Sequence, residues 1–262
     1  MTAERAMAGS DERPAKLTVT IAIPTLNEEK NLPVCLQSLS RQDYPGQFID
    51  TLVVDGGSQD ATVDIAKRFG AKVINNERRD GDYGKLLALM AAKTDLFLYL
   101  DADCQVTTSD WLSRMIQPLV SDKSIVGSFT RFVSRPGDPP MNRFLSYDWT
   151  QRDPVYAFFS RSASDTIVER REDYSVCKFK PGLTPPVGLI LYRRPILLLL
   201  IEHMRSLGLY PDIDVPALLA KRGYTRYAYV PVGLYHIHAR SLKELVSKRL
   251  RNLRRVYLRT HE

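Results

Sequence analysis

Along its first half the chain alternates short apolar runs with longer amphipathic ones. Leu17–Ile23 (LTVTIAI) predicts a strand ending at Pro24. Asn27 predicts the cap of a helix over Glu28–Gln42, with Glu28 and Glu29 favourably placed in its first turn. Ile49–Asp55 predicts a second strand, Asp60–Phe69 a helix stopped by Gly70, Lys72–Asn75 a short strand and Gly84–Lys93 a helical stretch. Leu96–Leu100 (LFLYL) reads as a buried strand, and Ser109–Val120 as the helix that follows it. Such alternation predicts right-handed βαβ units. The fold class is therefore α/β, with a mostly parallel sheet covered by helices on both faces. Ligands of such sheets bind beyond the carboxyl ends of the strands. That rule selects Pro24–Glu28, Asp55–Asp60 and Asp101–Asp103 as one rim.

The second half is less regular. Ser124–Val133 predicts a strand and Pro136–Pro140 a turn-rich break, whereas Met141–Lys180 is aromatic and charged without a clean period. Val187–Tyr192 predicts a buried strand, and Ile196–Ile201 (ILLLLI) a core helix. Asp212–Arg222 predicts a helix stopped by Gly223, Thr225–Val230 a strand, and Ser241–Leu258 a long helix. That last helix carries Leu242, Leu245, Val246, Leu250, Leu253, Val256 and Tyr257 at helical spacing, with cations on its other face.

Composition and charge refine this picture. A chain of 262 residues, 44% hydrophobic and 26% charged, suits one large or two small packed domains and excludes a disordered one. Cys35, Cys104 and Cys177 are odd in number and far apart, which favours a reducing compartment over a disulfide framework. The Val187–Ile201 stretch is broken by Arg193, Arg194 and Pro195, short of the ~20 apolar residues of a membrane span. Residues 1–16 are polar, lack the apolar centre of a signal peptide, and read as a flexible leader. The expected location is cytoplasmic. Arg240–Arg259 holds eight basic residues against Glu244 alone, so this segment carries the whole of the chain's net charge of +7. The remaining residues are neutral overall, and an anionic partner is expected near the C-terminal helix, residues 240–262.

Five segments carry candidate chemistry. Asp101-Ala102-Asp103 follows an apolar strand, and two carboxylates spaced i, i+2 suit Mg²⁺ or Mn²⁺ bridging the phosphates of a nucleotide. A plain turn cap is the competing reading. Asp55-Gly56-Gly57-Ser58-Gln59-Asp60 joins a strand to a helix start that favours anions. Its Asp55 can accept a hydrogen bond from a base imide N–H. Ile23-Pro24-Thr25-Leu26-Asn27-Glu28-Glu29 is by composition a strand end and a capped helix. Tyr210-Pro211-Asp212-Ile213-Asp214 places two acids at a helix start, as caps or as reactive groups. Tyr235-His236-Ile237-His238 aims two imidazoles toward one face, so both can approach one ion, with His238 slightly preferred.

In the order strand–PTLNEE, strand–DGGSQD, strand–DAD, the chain resembles the nucleotide-sugar-dependent glycosyltransferases of the GT-A fold, family two. The resemblance runs from about Leu17 to Leu258 and is strongest through Asp103. It implies that Pro24, Thr25, Glu28 and Asp55 surround the nucleoside, that Asp101 faces ribose and metal, and that Asp103 ligates the metal. Lys85 stands where that family often has a basic residue approaching the base or diphosphate, and its competing reading is a solvated lysine. The family's general base matches Asp212, with Asp214 a further acid, although Pro211 stands where a glutamate is usual. A histidine touching metal or diphosphate is common near His236 and His238.

These parallels imply a nucleotide-sugar-binding half (17–133) and an acceptor-binding half (134–239). They imply a metal-dependent enzyme moving a sugar from a nucleotide-diphosphate sugar, UDP-linked in the leading reading, to a glycan or lipid-linked acceptor with inversion. The alternatives are a catalytically silent nucleotide-sugar sensor or scaffold, and a polyprenyl-phosphate glycosyltransferase using a GDP-sugar. The basic helix has three readings. Lys248 and Arg249 neutralise the donor diphosphate; the helix lies on anionic lipid at the cytoplasmic face of a membrane, which can coexist with the first; or it binds nucleic acid, a merely solvated face being what remains. No motif that reads RNA or DNA accompanies the charge, so nucleic acid is not an expected partner.

Overall fold

A computed structural model describes residues 16–147, 163–181, 189–212 and 214–252. The leader over 1–15 and the end of the C-terminal helix beyond 252 lie outside the described residues. The strands are β1 (Val19–Thr25), β2 (Ile49–Asp55), β3 (Lys72–Asn75), β4 (Leu96–Tyr99), β5 (Gln105–Val106), β6 (Gly127–Val133), β7 (Ile167–Arg170), β8 (Ser175–Lys178), β9 (Ile190–Arg193) and β10 (Arg226–Tyr235). They form one sheet in the order β3-β2-β1-β4-β9-β6-β10-β8-β7, with β5 paired to β10. The first four strands are parallel, as the βαβ alternation predicts. Beyond β4 the sheet is mixed. β9 is inserted antiparallel between β4 and β6, β10 runs parallel to β6, and β8 and β7 add antiparallel strands at the far side.

The helices are α1 (Leu32–Ser40), α2 (Thr62–Arg68), α3 (Gly81–Ala91), α4 (Trp111–Ser121), α5 (Pro140–Tyr147), α6 (Arg194–Leu197), α7 (Ile201–Leu207), α8 (Asp214–Lys221) and α9 (Leu242–Asn252). Successive side chains of a strand point to opposite faces, and β1 divides accordingly. Val19, Ile21 and Ile23 join a core with Leu36, Ile65, Trp111 and Ile116, while Ala22 joins another with Leu89, Phe97, Leu197 and Met204. Both faces of the sheet are thus covered. The ILLLLI stretch contributes Leu197 and Leu200 to the second core and leaves Leu199 half exposed. Among the described residues, no helix is long and apolar enough to cross a membrane.

Several boundaries depart from the sequence expectation for identifiable reasons. β1 continues through Pro24 to Thr25. Pro24 shares the strand side of Ala22, whose carbonyl accepts from Leu100 N, and β4 ends at Tyr99, so no ladder bond is lost there. The first helix begins at Leu32 rather than Glu28. Asn27 adopts a left-handed backbone (φ +56°) and spends its side chain on Gln59 N, 2.9 Å away, rather than on a helix end. Pro33 then sits in the first turn of α1, where its missing N–H costs nothing. α3 starts at Gly81, three residues early, because Asp80 caps it by accepting from Asp82 N and Tyr83 N, each at 3.0 Å. β10 runs to Tyr235 rather than Val230, passing Pro231 through a register shift between Tyr229 and Gly233. That extension carries the chain to the histidine segment.

Candidate active site

The rim expected from the strand ends exists. Thr25 and Asp55 are register partners at the ends of β1 and β2, and Thr25 Oγ1 donates to Asp55 Oδ1 at 3.2 Å. Asp55 also accepts from Gly57 N and Ser58 N, both at 2.9 Å, and from the Ser58 hydroxyl. Its roughly four lone-pair positions are therefore all used, three by its own loop and one by Thr25 at the end of β1. A base imide N–H can reach this carboxylate only by displacing the Thr25 or Ser58 hydroxyl. Glu28 is half-buried on the same rim. Burial lifts its carboxyl above the ordinary range, a hydrogen bond from Asn31 opposes this, and Asp103, Asp101 and Asp60 add to the rise.

At the end of β4, Asp101 and Asp103 project from an exposed turn whose Ala102 is buried. Oxygens of these acids, Cys104 Sγ and a ring nitrogen of His236 all lie within 4.8 Å of one another. His236 Nε2 is 3.3 Å from Asp103 Oδ2. Burial raises the Asp103 carboxyl, but His236 and then Lys248 outweigh it and hold Asp103 below its usual value. The donor set fits a hard divalent ion, since two carboxylates and an imidazole suit Mn²⁺ or Mg²⁺. Cys104 is the weak member. Burial pushes its thiol well above the ordinary value, so it stays protonated.

Of the two histidines, His236 is the one in this group. His238 lies beside it, with ring centroids 5.5 Å apart, and its backbone N–H donates to Asn142 Oδ1 at 2.8 Å. Lys248, on α9, donates to the His238 carbonyl at 2.7 Å and pairs with Glu244 at 3.1 Å. A cleft of about 400 Å³ opens here, lined among others by Asp103, Arg135, Tyr235, Arg240, Glu244 and Lys248. The Arg135 guanidinium stacks 3.6 Å over the Tyr235 ring. The Arg249 side chain lies outside the described residues.

Asp212 and Lys85 come together, which the sequence did not suggest. Lys85 is not a solvated lysine but a buried one, bonded to Asp212 Oδ2 and 3.1 Å from Asp82 Oδ1, with the Tyr99 ring 4.4 Å from its ammonium. Burial alone would lower its pKa, but Asp212 and Asp82 more than offset this and keep it charged. Burial lifts the Asp212 carboxyl to about 7, against the pull of Lys85. Asp214 opens α8 and donates its backbone N–H to the Pro211 carbonyl at 3.0 Å.

Arg79 was missed by the sequence reading. Its backbone is left-handed (φ +53°), and its Nη2 lies 3.5 Å from where a Cβ on Gly57 would stand. The available signal was the pair Arg78-Arg79 between β3 and the Asp80 cap.

Comparison with known proteins identifies the family and the fold. Residues 20–171 match the family described as Glycosyl transferase family 2. The chain is 28% identical over 136 residues to Glycosyltransferase AglE of Haloferax volcanii, covering 49% of this chain and 44% of that one. It is 41% identical over 105 residues to a PGL/p-HBAD biosynthesis glycosyltransferase of Mycobacterium bovis, covering 37% and 39%. The matched region thus spans less than half the length of these curated relatives. Among solved structures, the chain resembles the mannosyltransferase PcManGT of Pyrobaculum calidifontis in complex with GDP-Man and Mn²⁺, with TM-score 0.59 and 19% identity over 91% of this chain and 65% of that one. It also resembles glucosyl-3-phosphoglycerate synthase of Mycobacterium tuberculosis in complex with Mn²⁺, UDP and phosphoglyceric acid, with TM-score 0.59 and 19% identity over 94% and 80%. The fold is the GT-A fold of these enzymes.

Proposed function

From its membership of glycosyl transferase family 2, we propose that the chain transfers a sugar from a nucleotide-diphosphate sugar to a hydroxyl of a glycan or lipid-linked acceptor. The observation that carries this reading is the meeting of Asp101, Asp103 and His236 at the carboxyl end of β4. The Asp212 carboxylate is held by a separate element of the same fold. Pro24, Thr25, Glu28, Asp55 and Asp101 surround the nucleoside, and Arg79 adds a cation beside the Asp55 loop. Asp101, Asp103 and His236 hold Mn²⁺ or Mg²⁺, which supplies positive charge to the departing diphosphate. Lys248 and Arg249, with Arg135 and Arg240 in the adjoining cleft, neutralise more of that charge. Asp212 accepts the proton of the acceptor hydroxyl as it attacks the anomeric carbon from the face opposite the diphosphate, and configuration inverts.

UDP is the leading nucleotide; one structural neighbour is complexed with UDP and the other with GDP-Man. A screen of UDP- and GDP-sugars tests the proposal. Release of nucleoside diphosphate from one donor is expected, dependent on Mn²⁺ or Mg²⁺ and abolished by chelation. Release that chelator leaves untouched would refute the metal assignment.

A lipid surface is the further partner we propose, on one observation. Leu242, Val246 and Leu250 are 63%, 48% and 49% exposed at four-residue spacing on α9, in a segment that concentrates the chain's cations. Such a face lies in a membrane interface, each basic residue near anionic lipid contributing about 1 kcal/mol. In flotation assays, binding to vesicles containing phosphatidylglycerol is expected to weaken with salt. It should be lost when Leu242, Val246 and Leu250 are all replaced by serine. Equal flotation by that variant would remove α9 as the anchor.

A further inference from the structure

Lys85 and Asp212 belong to α3 and to the turn before α8, and the chain has built both a side-chain and a backbone clamp between these elements. The Asp82 side chain holds the Lys85 ammonium, while the Asp82 backbone carbonyl accepts from Tyr210 N at 3.0 Å. The Tyr210 ring packs edge-on against Tyr99, centroids 5.6 Å apart, and Tyr99 in turn lies under the Lys85 ammonium. The two oxygens of Asp212 are treated differently. Oδ2 is bound by Lys85, whereas Oδ1 is buried with no hydrogen-bond partner among the described residues.

A buried ion pair contributes little net stability, because desolvation of both ions offsets most of their attraction. An unpartnered buried oxygen adds a further cost. Stability alone does not explain the arrangement. A proton acceptor needs a carboxylate that cannot rotate; here one oxygen is tethered, and the other, though closed to solvent, has no hydrogen-bond partner among the described residues and is the one left to receive a proton. Two of the three ammonium donors of Lys85 are taken by Asp82 and Asp212 and the side chain is buried, so a phosphate has little access to it.

We propose that Lys85 is a positioning residue for Asp212, fixing Oδ2 so that Oδ1 receives the acceptor proton, and that it does not bind the nucleotide. The proposal rests on Asp212 being the proton acceptor. Among the described residues, the groups facing Asp212 are Lys85 and Asp82 from α3, Asp101 beyond β4, and the Tyr99, Tyr192 and Tyr210 rings.

The test separates binding from turnover. Calorimetry measures the affinity for UDP and for GDP in the presence of Mn²⁺, and nucleoside diphosphate release from a saturating productive donor gives the maximal rate. Lys85→Met is expected to lower that rate about tenfold or more while the nucleotide Kd stays within about twofold, and Lys85→Arg is expected to recover most of the rate. Asp82→Asn, at a partly exposed side chain, is expected to lower the rate about two- to fivefold with Kd unchanged. A Kd weakened about tenfold in Lys85→Met with the rate retained makes Lys85 a nucleotide ligand and overturns the proposal. Should Lys85→Met fail to fold, Asp82→Asn decides, and a rate equal to wild type overturns the proposal. Loss of rate in Asp212→Asn but not in Lys85→Met defeats the positioning role alone. Retention of rate in Asp212→Asn defeats the proton-acceptor reading itself.

Discussion

Replacing Asp103 with alanine is expected to lower divalent-dependent release of nucleoside diphosphate from a productive donor by about 10²–10³-fold, the usual cost of removing one group that stabilises developing charge. Asp103 contributes an oxygen to the cluster at the end of β4 and holds His236 Nε2 at 3.3 Å. In the proposed metal site its loss therefore removes one ligand and loosens another. The side chain is 40% exposed, so the fold should tolerate the change. Titrating Mn²⁺ against initial rate should show a higher half-saturating concentration as well as a lower plateau. Cys104→Ala is the contrast. A buried thiol that stays protonated contributes little to a hard cation, and that variant should keep its metal dependence. An Asp103→Ala enzyme within about threefold of wild type would place the metal elsewhere.

Asp212→Asn is expected to cost about 10²–10⁴-fold in kcat, the range for a positioned general base, with the nucleotide Kd unchanged. The pH profile carries independent information. Burial lifts the Asp212 carboxyl to about 7, and only the deprotonated form accepts a proton. For the wild-type enzyme kcat/KM should therefore fall about tenfold per pH unit below 7 and level off above it. Asparagine does not titrate, so the residual activity of the variant should lack that acidic limb. Retention of the limb would assign it to another group.

The parallel half of the fold was legible because each of its strands is a short apolar run closed by a turn signal, and each helix follows at once. Ile49–Asp55 and Lys72–Asn75 coincide with their strands to the residue. The mixed half was opaque for a physical reason. β7 and β8 are four-residue strands near the sheet edge, and β9 is an antiparallel insertion whose neighbours, β4 and β6, lie far away in sequence. Local periodicity carries no record of such partners. In the site, the placement of carboxylates at strand ends was readable from the pattern, while their roles were implied only by the family resemblance. The choice between His236 and His238 was not, because it depends on how the chain leaves β10. The Lys85–Asp212 contact spans 127 residues, and no local pattern announces it.

The long strand β10 has a consequence for how the protein comes into being. It is the last strand among the described residues, yet it occupies the interior of the sheet between β6 and β8 and delivers His236 to the acids beyond β4. During synthesis β1 to β4 emerge first with their parallel neighbours in hand. The ribosome must then add more than a hundred further residues before the wedge between β6 and β8 is filled. A nascent chain at that stage holds the acidic rim but not the imidazole beside it, and it presents two raw sheet edges to the surrounding proteins.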